Sequence, residues 1–247
     1  DELWHLFTGE DGLPFNDFTT MAAGNSGDIW FGTTKGVIHY DGNVWEYRQG
    51  KRWLPDDYIR SIAITPNGDA WFATSNGVSV IQHKPFTLTE KAKWYEDEID
   101  RYSRRTPYEF ILEVTMEKPG VKQNWKQYDS DNDGLWTSMY GAGECFAYAA
   151  TGSIQAKVRA KKAFDAMVFL GDVTQGNKHS PPPGYVARTV LPTSGPDPNI
   201  GRIERDKHKK ETDDTMWKIY EPRWPVSADG KWYYKTDTSS DELDGHY

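Results

Sequence analysis

The amino-acid sequence predicts an α+β fold, with strand-rich repeats in the first third of the chain and helices in the remainder. Three observations support this prediction. Short strand and turn patterns repeat with a spacing of 41 residues over positions 3–85. Two adjacent stretches, 129–151 and 154–170, carry apolar residues at helical spacing. The stretch 171–237 is dominated by loops, and its many aromatic residues predict that these loops are ordered.

The repeat consists of matched residues at corresponding positions of two copies. Trp4, Leu13, Gly27, Asp28, Trp30, Phe31 and Gly36 recur as Trp45, Leu54, Gly68, Asp69, Trp71, Phe72 and Gly77. A period of about 40 residues with strand and turn signals is typical of a β-propeller blade. In the first copy, the segments 18–22, 29–32 and 37–40 predict three short strands, and the glycines between them predict tight turns.

These copies resemble the two-component regulator propeller, a blade repeat of bacterial sensor ectodomains and of other secreted bacterial proteins. The segments 10–14, 27–37 and 40–42 carry the resemblance, which covers about residues 3–85. It implies blades but no particular function, because one fold serves many functions. A propeller usually needs at least about four blades. Two copies therefore predict that the blades pack on another part of this chain or, as we favour, that the chain is a piece of a longer protein.

A change in composition after the second copy marks the predicted domain boundary. Residues 86–106 are charged and suit a helix, and residues 108–116 alternate like a strand. The predicted organisation is blade repeats at 1–85, a helical linker at 86–106 and a helical domain at 107–247.

The segment 129–151 runs from a cluster of acids into an apolar helical pattern. Its predicted buried face comprises Leu135, Met139, Ala142, Phe146 and Ala149. Asp131 and Asp133 lie where the first free N–H groups of the helix need acceptors. Gly141 and Gly143 are unfavourable inside a helix, so they predict a close approach of another backbone or of a ligand.

A second helix is predicted to follow at once. Gly152 ends the first run and Ser153 offers a new N-cap. The second apolar face comprises Ile154, Val158, Phe164, Met167, Val168 and Leu170. Helices separated by so short a break lie antiparallel, and such a hairpin is the repeating unit of α/α toroids. The nearly uncharged first helix would be the inner one.

The second half of the chain also resembles a known group of proteins. The segments 129–140, 184–189, 227–234 and 238–246 resemble a bacterial family of secreted proteins in which a propeller segment precedes an α/α-toroid domain similar to those of polysaccharide lyases and glycoside hydrolases. The resemblance covers about residues 100–247 and implies further helical hairpins after Tyr247. The full fold prediction is two blade repeats followed by an incomplete α/α toroid with long aromatic loops.

A calcium-binding motif is suggested by three acids before the first long helix. Asp129, Asp131 and Asp133 have the spacing of D-x-D-x-D-G, whose oxygen ligands suit a hard cation. Tyr140 stands where such a loop places its bidentate glutamate. The alternative is a capped helix start with solvated acids. Ca²⁺ is the one cofactor that the sequence suggests.

Candidate catalytic acids lie at two predicted helix starts. Hydrolysis of a glycosidic bond uses two carboxylates, which Asp133 with Asp241 or Glu242 would supply if both starts face one cavity. The predicted catalytic set is Asp133, Glu144, Arg188, Asp241, Glu242, His246 and Tyr247.

A β-elimination reaction on a uronic acid would use the same region differently. Arg188 would lie near the substrate carboxylate, and His246 or Tyr247 would remove the proton. The predicted substrate-binding set is Trp136, Tyr140, His179, Tyr185, Trp232 and Tyr234. Structural alternatives exist, with Arg188 as a loop ion pair and Glu144 as a polar residue of an inner helix.

Composition and charge exclude several classes of function. A formal charge of −8 and a pI near 5.3 argue against nucleic acid or an anionic membrane as the main partner. No apolar run approaches the ~20 residues that a membrane-spanning helix needs. Cys145 is the only cysteine, so an intrachain disulfide is excluded, and its position predicts a buried small hydrophobe.

The predicted function is that of a secreted or periplasmic bacterial protein acting on an extracellular, acidic polysaccharide by β-elimination or hydrolysis. The alternative is a non-catalytic sensing or glycan-binding ectodomain. The chain begins at Asp1 without Met, which predicts a leader that was removed or not included. Motifs of phosphate loops, serine hydrolases and zinc proteases do not occur, which argues against those classes of enzyme.

Overall fold

The computed structural model describes residues 4–129 and 131–247. Residues 1–3, where the blade resemblance begins, and Ser130, inside the acidic motif, lie outside the described residues. The chain divides into two compact units. The first comprises Asp1–Lys91 and Met116–Asn124, and the second comprises Ala92–Thr115 and Trp125–Tyr247. The division into parts at 1–85, 86–106 and 107–247 stays a prediction.

Short antiparallel strands form two sheets in the first unit, after a 3₁₀ turn at Gly9–Asp11. The first sheet has the order β1-β2-β3-β4, with β1 Phe18–Ala23, β2 Ile29–Thr33, β3 Gly36–Tyr40 and β4 Trp45–Arg48. The second has the order β5-β6-β7, with β5 Ile59–Ile64, β6 Ala70–Thr74 and β7 Gly77–Ile81. The three strands predicted for the first copy are confirmed. The sequence pattern does not predict β4, because Trp45 matches the start of the second copy.

The two sheets repeat one another residue by residue. Phe31 pairs with Ile38 across β2 and β3, and Phe72 pairs with Ser79 across β6 and β7. In the preceding turns, Gly27 has a φ of 83° and Gly68, its equivalent in the second copy, has a φ of 87°. A side chain is disfavoured at such φ values, so the turn itself explains the repeated glycine.

The two sheets share one apolar core. Its buried residues are Trp30, Val37, Leu54, Ile59, Ala70 and Phe72. Gly32 in β2 lies so close to β5 that an added β-carbon would come within 2.6 Å of Ile59 Cγ2. The two sheets therefore pack directly against each other at this point.

The second unit combines helices with two-stranded sheets. α1 spans Leu88–Glu98, begins at the end of the first unit and continues as a π-helical turn at Ile99–Ser103. The paired strands are β8 Arg104–Arg105 with β9 Phe110–Ile111, β10 Val114–Met116 with β11 Trp125–Gln127, and β12 Val190–Pro192 with β13 Trp232–Tyr234. The other helices are α2 Asp133–Thr151, α3 Ile154–Asp172, α4 Arg202–Thr212 and α5 Ser240–Asp244.

One local prediction in this unit is wrong, and another is correct in outline but misses a helix. The predicted single strand at 108–116 is divided between β9 and β10, and left-handed φ values of 63° at Thr106 and 59° at Glu109 mark a turn before β9. The predicted loop region 171–237 contains α4. The sequence of α4 is charged at most positions and has Ile203 as its one large apolar residue, so it carries no apolar stripe.

The ends of the α2–α3 hairpin confirm the sequence prediction. Gly152 ends α2 in a left-handed conformation with a φ of 68°, and its N–H donates to Tyr148 O at 2.8 Å. The Ser153 side chain caps α3 by accepting from the Ala156 N–H at 3.3 Å. These are the residue types that such helix ends favour.

The predicted buried face of α2 is wrong, and the predicted apolar face of α3 is wrong except at Leu170, which is fully buried. Phe146 is 77% exposed and Phe164 is 64% exposed, and Cys145 is exposed rather than buried. The contact between the helices is made by small residues, because a β-carbon added at Gly141 would lie 2.9 Å from Ala163 Cβ. Gly141 thus confirms the predicted close approach, whereas Gly143 has nothing within 4 Å of an added β-carbon.

The core of the second unit packs on the face of α3 that carries Ala166 and Leu170, not on the face that carries Phe164. Its buried residues are Phe110, Ala166, Leu170, Val173, Ala187, Val190 and Tyr234. Tyr108 and Phe169 stack with ring centroids 3.7 Å apart against this core. One helical hairpin is present in the described ranges, so the predicted α/α toroid is not established. Among the residues that the structure describes, no helix is long and apolar enough to cross a membrane.

Candidate functional site

Asp133 lies at the start of α2 and is fully buried. Its Oδ2 accepts hydrogen bonds from the Arg105 guanidinium, from Thr189 Oγ1 at 2.9 Å and from the Val190 N–H at 3.2 Å. Burial raises the pKa of Asp133 to about 6, and the Arg105 guanidinium opposes this rise. The carboxyl group thus joins α2 to β8 and to the chain around β12.

Glu242 in α5 reaches the same helix start. It is 1% exposed, and its Oε2 accepts from the Leu135 N–H at 3.1 Å. A β-carbon added at Gly134 would lie 2.5 Å from Glu242 Oε2 and 2.8 Å from His246 Nε2. The structure thus brings Glu242 and His246 to the start of α2, where Asp133 lies, and of the two alternatives Asp241 and Glu242 it is Glu242 that faces this start.

The buried atoms of this cluster are incompletely paired. Asp133 Oδ1, Glu242 Oε1 and His246 Nε2 have no hydrogen-bond partner in the described part of the chain. Burial raises the pKa of Glu242 to about 7 and lowers the pKa of His246. Both shifts favour the neutral forms, because a charge is costly where solvent is excluded.

The other predicted catalytic residues differ in their exposure and in their contacts. Asp241 is exposed, and Tyr247 is 92% exposed. Arg188 Nε donates to Asp131 O at 2.8 Å. A hydrogen bond with the Ser239 side chain lowers the pKa of Asp241, and the positive charge of Arg188 adds to this lowering. Arg188 therefore makes a structural contact between loops, which is close to the structural alternative given for it in the sequence analysis.

Glu144 belongs to a separate polar network on α2. Burial and a hydrogen bond with Glu96 raise its pKa to about 7. Glu96 also accepts from Tyr140 Oη at 2.9 Å and pairs with Arg159 at 2.9 Å. This network joins α1, α2 and α3, and it places Glu144 away from Asp133.

The predicted substrate-binding aromatics are divided between the interior and the surface. Trp232 packs on the ring of Tyr108, Tyr234 is 1% exposed, and Tyr185 Oη donates to Thr236 O. Trp136 and His179 are exposed. The structure thus gives most of this set contacts inside the second unit and leaves two rings accessible.

The predicted calcium site is not supported. Asp131 pairs with Lys235 Nζ at 2.5 Å, and Asp133 pairs with Arg105. Asp129 accepts the Asp131 N–H at 2.8 Å. Within residues 4–129 and 131–247, no group of three or more His, Cys, Asp or Glu side chains is arranged to hold a metal ion. Two of the three acids are therefore already paired with cationic side chains of the protein.

An apolar groove of about 240 Å³ runs beside the acidic cluster. It lies between α2 and α3, and Gly245 and His246 line it together with Cys145, Phe164 and Met167. His246 therefore links the buried acids to a surface groove, whereas Asp133 and Glu242 do not line the groove.

A larger and more polar pocket lies between the two blade sheets of the first unit. Its volume is about 330 Å³. The lining residues are Asn25, Ser26, Asp28, Trp30, His39, Asp41, Ile64, Asn67, Gly68 and His83. The sequence prediction misses this pocket, because its lining is spread over both copies. A residue-by-residue comparison of the copies does single out His39 and Asp41, which correspond to Val80 and Gln82.

Comparisons with known proteins confirm the nature of the repeats. Residues 12–35 and 54–76 match the family described as two component regulator propeller. Among solved structures, the chain is similar to the extracellular domain of the hybrid two-component system BT3049 from B. thetaiotaomicron, at 26% identity and a TM-score of 0.27. The similarity covers 30% of this chain and 10% of that chain. No curated protein matches. The resemblance predicted for residues 100–247 is not supported by these matches.

Proposed function

We propose that this chain is a non-catalytic recognition module that acts outside the cytoplasm as part of a bacterial sensor and binds a saccharide. The observation that carries the proposal is the pair of two-component regulator propeller repeats at 12–35 and 54–76. Repeats of this kind resemble those of sensor ectodomains. The proposal favours sensing over the polysaccharide-cleaving activity that the sequence first suggests.

The burial of the predicted catalytic acids supports a non-catalytic role. Asp133 is fully buried, and Glu242 is 1% exposed. A general acid or base must reach the bond that reacts, within about 3 Å or through one water. Asp133 instead directs its Oδ2 to three donors of its own chain. Its contacts are those of a group that stabilises the second unit.

The proposal is tested by following binding and cleavage in the same samples. The protein is incubated with neutral and uronic-acid polysaccharides, and bound polymer, unsaturated product and reducing ends are measured. We expect binding without either product. Product formation that disappears in Asp133→Asn or Glu242→Gln would overturn the proposal, and so would the absence of binding to every polymer.

A polysaccharide lyase or glycoside hydrolase is the second candidate. One observation favours it, namely that Asp133, Glu242 and His246 meet at the start of α2 and that the two acids have pKa values of about 6 and 7. Such values suit proton transfer at neutral pH. Catalysis would require α5 to move so that Asp133 and Glu242 reach the substrate.

We also propose, as part of this account, that the α2–α3 hairpin belongs to a larger α/α toroid. The exposure of Phe146 and Phe164 supports this, because further helical hairpins would cover them. Sequencing the reading frame beyond Tyr247 tests it. We expect further paired helical segments with apolar stripes, and a stop codon directly after Tyr247 would contradict the toroid.

A further inference from the structure

The polar pocket between the blade sheets contains residues that the blade fold itself does not require. Trp30 and Asp28 recur in the second copy as Trp71 and Asp69. His39, however, corresponds to Val80, which occupies the equivalent position of β7 opposite Trp71. Because a blade strand forms with valine at this position, the histidine is not needed for strand pairing.

His39 is held in one orientation by its neighbours. Its Nε2 lies 2.9 Å from Asp28 Oδ2, and its Nδ1 lies 3.4 Å from Glu46 Oε2. Its ring stacks on Trp30 with centroids 4.3 Å apart. The ring of His83 lies 5.9 Å from that of His39 and is part of an exposed residue, so one histidine is fixed and the other is accessible.

The polar groups of the pocket are mainly hydrogen-bond acceptors. The amide nitrogen of Asn25 donates to Thr65 O at 2.9 Å and to Pro66 O at 3.0 Å, which commits its donors to the chain. Asp41 Oδ1 accepts from the N–H groups of Asn43 and Val44, both at 2.8 Å. Within the described residues, the side-chain oxygen of Asn25 and the second carboxylate oxygen of Asp41 accept no hydrogen bond. A matching ligand therefore supplies hydrogen-bond donors.

The charges of the pocket decide which donor-rich ligands suit it. Asp28 and Asp41 are ionised, because hydrogen bonds lower the pKa of each below its usual value. Their negative charge repels an acidic sugar. Asp28 is poorly placed to pair with an ammonium ligand, because its Oδ1 accepts the Ser26 N–H at 3.2 Å and its Oδ2 lies 2.9 Å from His39 Nε2. Hydroxyl groups, which donate and accept, suit both the carboxylate oxygens and the imidazole of His83.

We propose that the pocket between β1–β4 and β5–β7 binds a small, uncharged, polyhydroxylated molecule such as a monosaccharide or disaccharide. A volume of about 330 Å³ lies within the range of small-ligand pockets. Asp41 and Asn25 accept from its hydroxyl groups, and His83 contacts it from the open side. This inference rests on the proposed recognition function and names its site and its class of ligand.

The test is a titration of the ¹⁵N-labelled full chain followed by NMR. The probes are D-glucose, D-galactose and cellobiose, with D-glucuronate and putrescine as the acidic and cationic comparisons. The amides of Ser26 and Gly68 report on the pocket. We expect neutral saccharides to shift both amides in a saturable way, and we expect Asp41→Asn and His39→Val to weaken this binding about tenfold or more.

Asp56→Asn is the matched control, because Asp56 also accepts a backbone N–H, from Tyr58 at 2.9 Å, but lies outside the pocket. It should bind as the unaltered protein does. His39→Val introduces the residue of the second copy and should keep the blade folded, which its amide spectrum will show.

Three results would overturn the inference. The first is the lack of any shift at Ser26 and Gly68 with the neutral saccharides, and the second is a stronger response to glucuronate or putrescine. The third is undiminished binding in Asp41→Asn. Saccharide binding that shifts other amides instead would refute the pocket and leave the recognition function standing.

Discussion

At the scale of single residues, Asp133 and Glu242 differ in how the cost of burying a carboxyl group is offset. Asp133 accepts three hydrogen bonds, one of them from the Arg105 guanidinium, which offset the cost of removing a carboxylate from water. Glu242 has the Leu135 N–H as its partner, and burial raises its pKa to about 7. We therefore expect protonation of Glu242 to stabilise the folded chain, because burial disfavours its charged form.

Stability should fall as pH rises from about 4.5 to about 7. The folded pKa of Glu242 is about 7, against an ordinary value of 4.5, so the folded chain holds a proton that the unfolded chain releases. Stability is then fully present below pH 4.5 and decreases up to pH 7, by an amount on the order of 3 kcal/mol for this group. Urea unfolding at pH 5 and pH 8 measures the difference.

Glu242→Gln should reduce this pH dependence, because glutamine does not ionise. The raised pKa values of Asp133 and Glu144 also make stability fall as pH rises, whereas the lowered pKa of His246 acts in the opposite direction. Glu211→Gln, at an exposed position of α4, is the control and should behave as the unaltered protein does. A chain that is more stable at pH 8 than at pH 5 would contradict this assignment.

At the scale of elements, the α2–α3 hairpin depends on a close contact between small residues. Gly141→Ala would place a β-carbon 2.9 Å from Ala163 Cβ, and so short a side chain cannot turn away. Overpacking typically costs about 1–3 kcal/mol, which exceeds the gain of about 1 kcal/mol from replacing a helical glycine by alanine. We expect a net loss of stability in thermal or urea unfolding.

Gly143→Ala is the matched variant two residues away. An added β-carbon there meets nothing within 4 Å, so the helix propensity of alanine acts alone. It should stabilise the chain by up to about 1 kcal/mol. If both variants change stability in the same direction, the packing of α2 on α3 differs from that described.

The large apolar residues on the outer side of the same hairpin should bind a hydrophobic dye. Phe146→Ser with Phe164→Ser should lower the fluorescence of added anilinonaphthalene sulfonate, while stability changes by less than about 1 kcal/mol because both rings are mostly exposed. Leu170→Ala, at a fully buried position, should instead cost about 2–5 kcal/mol. Dye binding that is unaffected by the double substitution would contradict the exposure of this face.

The sequence predicts the elements whose ends are marked by turn glycines or by helix-capping residues. The glycines at the turns of the blades and the Gly152–Ser153 break fix where strands and helices end, because few other residues suit those backbone positions. Which helix face is buried depends on the partner. The large residues of α2 predict the wrong face, since Gly141 allows a closer contact on another side.

The candidate sites show the same distinction between local features, which the sequence predicts, and packing between elements, which it does not. The two acidic helix starts are predicted from the sequence, because each is a local property of its helix, whereas the choice of Glu242 over Asp241 as the acid near Asp133 depends on how α5 packs on α2. The pocket between the blades is lined by residues as distant in sequence as Asn25 and His83, so it depends on how the two sheets pack. The sequence does not predict α4, because this helix has no apolar stripe. Its buried residue Asp206 instead forms ion pairs with Arg202 and Arg223.

At the scale of the whole molecule, the two units contribute differently to the proposed function. The first unit carries the two matched propeller repeats and a polar pocket between them. The second unit carries the acids that resemble a catalytic set but are buried among their own partners. We therefore propose that the blades carry recognition and that the acidic cluster stabilises the packing of α2 and α5.

Isothermal titration calorimetry of the full chain with neutral mono- and disaccharides and with neutral and uronic-acid oligosaccharides tests this account most directly. Binding without turnover gives heats that decrease to zero as the sites fill. Cleavage gives a sustained heat flow after each injection, because substrate is consumed continuously. We predict saturating heats with a neutral saccharide and no sustained flow with any member of the panel. A sustained flow, or no heat with any saccharide, would contradict the account.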